Sequence, residues 1–105
     1  MNKFTSIITV TFPSELAYKE WFKINNDFFF KDEKVIIFLK QNGMTKWTMS
    51  KTDDIEPIKV VLSMEYLNKE SFDKCQTIFL KFMPKIDSLI YKTNIIRGEV
   101  IFDQI

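Results

Sequence analysis

The residues that carry most protein chemistry are nearly absent from this chain. It has no histidine, a single cysteine (Cys75) and two glycines, Gly43 and Gly98. Without an imidazole, Ser–His and Cys–His nucleophile activation, imidazole proton transfer and His-ligated zinc all drop out. One thiol builds neither a CxxC pair nor a thiolate metal site. Two glycines leave no room for a GxGxxG or GxxxxGK[ST] phosphate loop. Carboxylate, lysine and tyrosine chemistry remains. Asp53, Asp54 and Glu56 cluster before Pro57, and Asp32-Glu33 lie between Lys31 and Lys34. A hard-cation site or a working carboxylate pair needs oxygens converging from several elements. Neighbouring acids on one connection read instead as solvated turn residues. The expectation is a protein with no catalytic residue, no metal and no cofactor, hence not an enzyme.

Composition narrows the setting. The chain has 105 residues, the size of one domain (1–105), and a net charge of +1. That charge gives no strong long-range pull on nucleic acid or an anionic membrane. Eleven Phe, three Tyr and two Trp supply enough apolar area for a core without metal or disulfide staples. The lone cysteine favours a reducing compartment. The first residues lack the apolar core and cleavage site of a signal peptide, and no apolar run reaches the ~20 residues of a membrane span. A cytoplasmic location is expected. Fourteen Lys against one Arg, with fourteen Ile and six Asn, reads as an AT-rich coding sequence of a phage, plasmid or low-GC bacterium.

Periodicity then predicts the elements. In KFTSIITVTF, Phe4, Ser6, Ile8, Val10 and Phe12 fall on one face and Thr5, Ile7, Thr9 and Thr11 on the other, the period of a strand. After Pro13, Ala17, Trp21, Ile24 and Phe28 recur at helical spacing, and Asn25-Asn26 read as terminating residues. KVIIFLK-QNG-MTKWTMSK reads as a hairpin around Asn42-Gly43, the favoured pair for a tight two-residue turn. IKVVLSMEYL alternates again. Asn68 caps a second helix with Phe72, Cys75, Phe79 and Phe82 on its inner stripe, which makes Cys75 a buried, inert sulfur. Residues 85–94 suit either helix or strand, and IIRGEVIFDQI reads as a last strand. The order β-α-β-β-β-α-β gives an α+β, two-layer sandwich: a mostly antiparallel sheet with two helices on one face. In topology it resembles the ferredoxin-like plan with one extra strand in the central meander.

Function follows here only by elimination. Ile7, Val35, Ile37, Leu39 and Val61 share the open sheet face in this register, more aliphatic surface than a monomer commonly leaves bare. In NNDFFFKDEK, Phe28 extends the helix stripe, and of Phe29 and Phe30 one is buried and the other is a contact residue. These observations predict a protein-binding module, of the kind a phage or mobile element uses to inhibit a host or defence protein by steric occlusion. A homodimer is the simpler occupant of the same surface. The expected partner-binding residues are Phe29, Phe30, Ile37, Leu39, Lys46, Asp53 and Asp54. The alternatives are nucleic-acid binding through the lysines of the meander, or an accessory subunit of a larger assembly. The aromatics Phe4, Phe12, Phe38 and Trp47 fall in the inward phase, which leaves no stacking platform for bases on the outer face.

Overall fold

The computed structural model describes residues 2–53 and 57–105. β1 (Phe4–Phe12) is the strand that its alternation predicts, with Phe4, Ser6, Val10 and Phe12 buried and Ile7 exposed. It runs through the middle of a four-stranded antiparallel sheet. β3 (Ile58–Tyr66) lies on one side of it and β4 (Lys92–Glu99) on the other, and β2 (Met44–Lys51) adds beyond β3. The register sets Phe4 opposite Tyr66, Ile8 opposite Leu62 and Val10 opposite Val60. Side chains alternate along each strand, so this pairing gathers one continuous apolar face.

Three helices cover that face: α1 (Glu15–Phe29), α2 (Glu33–Gln41) and α3 (Lys69–Phe82). Each starts at a side-chain cap that accepts from an otherwise unpaired backbone N–H. Ser14 Oγ accepts from Ala17 N at 3.2 Å, Asp32 Oδ1 from Lys34 N at 3.0 Å and Asn68 Oδ1 from Ser71 N at 2.8 Å. Trp21, Leu39 and Cys75, one from each helix, join the sheet's buried residues in a single core. Cys75 is buried as expected, and burial pushes its thiol pKa up. Its Sγ donates to the Leu39 carbonyl at 3.6 Å and so ties α3 to the end of α2.

The α+β sandwich is the predicted one; a single element differs. Residues 33–41 form α2, not the first arm of a hairpin, so the order is β-α-α-β-β-α-β. The run Val35-Ile36-Ile37-Phe38-Leu39 is apolar at every position and carries no period to read. The helix signals sit at its ends. Asp32 caps it, Glu33 and Lys40 complement the helix dipole, and Gly43 stops it with φ +99°. Asn42-Gly43 is therefore a helix C-terminus rather than a strand turn. Val35, Ile37 and Leu39 accordingly leave the sheet face to which they were assigned. α3 ends at Phe82 in a short 3-10 turn, Met83–Lys85, that contains Pro84. The last strand begins earlier than expected, at Lys92, and residues 100–105 lie beyond it.

Candidate functional site

The buried stripe of α1 is Trp21, Asn25 and Phe29, spaced at four residues. Asn25 thus sits at its centre rather than at a helix end, only 2% exposed. Its carboxamide Oδ1 is buried and has no hydrogen-bond partner among the described residues. The other buried side-chain polar atom without a partner among the described residues is Trp47 Nε1, on the inward face of β2. The Trp47 ring lies edge-on to Phe29 at 5.0 Å and to Phe79 at 5.6 Å.

These two residues line the same cavity, about 90 Å³, between the sheet and α1 and α3. Its walls are otherwise mostly apolar: Ile8, Val10 and Leu62 from the sheet, Phe79 and Phe82 from α3. Tyr91 is its only titratable lining side chain among the described residues. Burial, with Asp87 second, raises the Tyr91 hydroxyl pKa. The site therefore offers the Asn25 carboxamide, the Trp47 indole and the hydroxyls of Tyr91 and Thr93 on a mostly apolar wall. It has no charged group to act as a general base at neutral pH.

The expected partner-binding residues separate. Phe29 and Leu39 are 0% and 1% exposed and offer no surface, because each is the inward residue of its helix. Phe30, just past the end of α1, is the exposed member of the phenylalanine trio. Ile37 is exposed, but on α2. Lys46 is exposed on β2 and Asp53 is exposed past its end. Asp54 lies outside the described residues. The sheet's outer face carries Ile7, half-buried Val61 and Ile96, which faces Ile7 across the β1–β4 pair. No described helix is long and apolar enough to cross a membrane. Sequence reasoning missed Asn25 as a site residue. Its signal was a polar residue four positions from Trp21 and four from Phe29.

No protein-family profile and no curated protein matches the chain. Solved structures do. A dimeric ferredoxin-like protein from an uncultured marine organism superposes with a TM-score of 0.82, at 23% identity over 98% of both chains. A second dimeric ferredoxin-like protein of that description gives 0.78 at 18% identity, over 99% of this chain and 100% of the other. SnoaB, a cofactor-independent oxygenase from Streptomyces nogalater, gives 0.65 at 10% identity, over 98% and 97%. The last likeness corrects one expectation. Missing histidines and phosphate loops do not mark a non-enzyme, because this architecture also serves an oxygenase that works without a cofactor. The chain has a ferredoxin-like α+β fold: a four-stranded antiparallel sheet with three helices.

Proposed function

We propose that the protein is a small cofactor-free oxygenase whose cavity holds an electron-rich hydroxylated carbonyl compound. The observation that carries this reading is that Asn25 and Trp47, each with a buried polar atom lacking a partner among the described residues, line one mostly apolar cavity. A buried polar atom left unpaired costs about 1–3 kcal/mol, and such departures from a satisfied core are expected at functional sites. A substrate O–H would donate to Asn25, and a substrate carbonyl would accept from Trp47. As that oxygen gains negative charge, the indole N–H stabilises it in surroundings of low dielectric. Overall, an activated CH₂ group and O₂ give a carbonyl and water, the substrate itself supplying the electrons. At about 90 Å³ the cavity takes dioxygen and the edge of a ring rather than a whole polycycle. The test is oxygen uptake with a panel of hydroxylated aromatic ketones. Uptake should appear with at least one of them and fall at least tenfold in Asn25→Leu, which keeps the side chain's shape, and in Trp47→Phe, which removes the indole N–H. Equal uptake in the parent and both variants, or none in the parent, would refute the proposal.

A second reading concerns the outer sheet face, where exposed Ile7 and Ile96 adjoin Val61. We infer self-association through it, supported by the two dimeric structures of the same fold. A heterologous target of an occluding inhibitor would use the same surface. Sedimentation equilibrium tests it: the protein should run as a dimer and Ile96→Lys as a monomer, whereas a monomeric parent protein removes the reading.

A further inference from the structure

We propose that the groove between α2 and β2 is a second ligand site, shaped for a small apolar acid such as an aromatic or short aliphatic carboxylate. The groove encloses about 330 Å³, against an ordinary range for small-molecule sites that begins at about 300 Å³. Its floor is Ile36 and Leu39 of α2 with Met44 of β2; Phe30 and Trp47 close one end, their ring centroids 5.2 Å apart. Phe30 is 37% exposed, so a ring can lie against it without displacing core.

The groove carries charge of one sign. Lys40 and Lys46 line it, and no carboxylate does. Neither lysine forms an ion pair among the described residues. Glu65, which faces Lys46 across the strand pair, is engaged by Lys3 at 3.4 Å. Lysines lining an apolar trough complement an anionic head on an apolar body. A neutral ligand would fill the trough but leave both lysines unused. Trp47 borders this groove on one side and the inner cavity on the other. Binding in the groove is therefore reported by that indole, whatever chemistry the inner cavity performs.

The test uses naphthoate and its uncharged counterpart naphthylmethanol, titrated into isotopically labelled full-length protein and followed by NMR. Naphthoate should shift the Trp47 indole N–H and the Thr45 and Lys46 amides while leaving Trp21 unmoved. It should bind about tenfold more tightly than the alcohol, the effect of two exposed charge contacts. The surface double variant Lys40→Gln/Lys46→Gln should erase that difference without weakening the alcohol, and Phe30→Ala should weaken both. Equal binding of acid and alcohol, shifts confined to Ile8, Val10 and Leu62 of the inner cavity, or no shift at millimolar ligand would each overturn the proposal. Lost oxygen uptake in Asn25→Leu with naphthoate binding intact would separate the two sites.

Discussion

At the scale of single residues, the phenylalanine trio shows how three identical neighbours take different roles. Phe29 touches Phe28 at 4.8 Å, Phe79 at 5.2 Å, Phe82 at 4.8 Å and Trp47 at 5.0 Å, so it is the hinge of the aromatic core. Phe29→Ala should cost about 3–5 kcal/mol in a urea titration. Phe30→Ala, at a half-open position, should cost about 1 kcal/mol. The sequence allowed this division, one buried and one exposed, because the chain can turn only one of two neighbours inward. It hid which one, because the end of α1 lies past the two asparagines that resemble a stop. Asn25 was misread for the same reason. Asparagine usually ends helices, and only the placement of Trp21 and Phe29 on either side reveals it as an inward residue.

At the scale of elements, strands were legible wherever polar and apolar residues alternate, as in β1 and β3. α2 was not, because five apolar residues in succession fit a helix and a buried strand equally. Its end residues decide the matter, and they can be tested. Asp32→Ala removes the cap and should cost about 1 kcal/mol. Gly43→Ala should cost more, about 2 kcal/mol or above. It forces a side chain into a left-handed backbone position, and the added carbon meets the Ser71 side chain, so the start of α3 must shift. Ile37→Glu should change stability by less than about 0.5 kcal/mol, since α2 points that residue to solvent. A loss of several kcal/mol on Ile37→Glu would contradict that placement.

At the scale of the whole molecule, one sheet face is roofed by helices and the other is open. The radius of gyration is 14.3 Å, somewhat above the roughly 13 Å of a compact domain of this size. An uncovered sheet and exposed Ile101, Phe102 and Ile105 fit that excess. Titration behaviour is also a global property. The chain lacks histidine, so stability should stay nearly flat between about pH 6 and 8. Among the described residues every resolved shift is upward: burial raises Cys75, Tyr66 and Tyr91, and Asp103 with Glu65 raises Lys3. The unfolded chain then loses protons from the thiol and hydroxyls first, beginning near about pH 8.5, while the folded chain keeps them. Stability from these groups, including the Lys3 ion pairs, should be complete below that pH and decline as pH rises through it. Urea midpoints measured from pH 6 to about 11 should trace this one-sided fall; a decline of equal depth between pH 6 and 8 would contradict it.

The proposed site requires that Asn25 be retained for a ligand rather than for the fold. The most direct measurement is the unfolding free energy of Asn25→Leu, a side chain of nearly the same shape without the buried unpartnered oxygen. The expected change is a gain of about 1–2 kcal/mol. A loss of about 1 kcal/mol or more would show that the amide holds the core together, and the site would lose its argument.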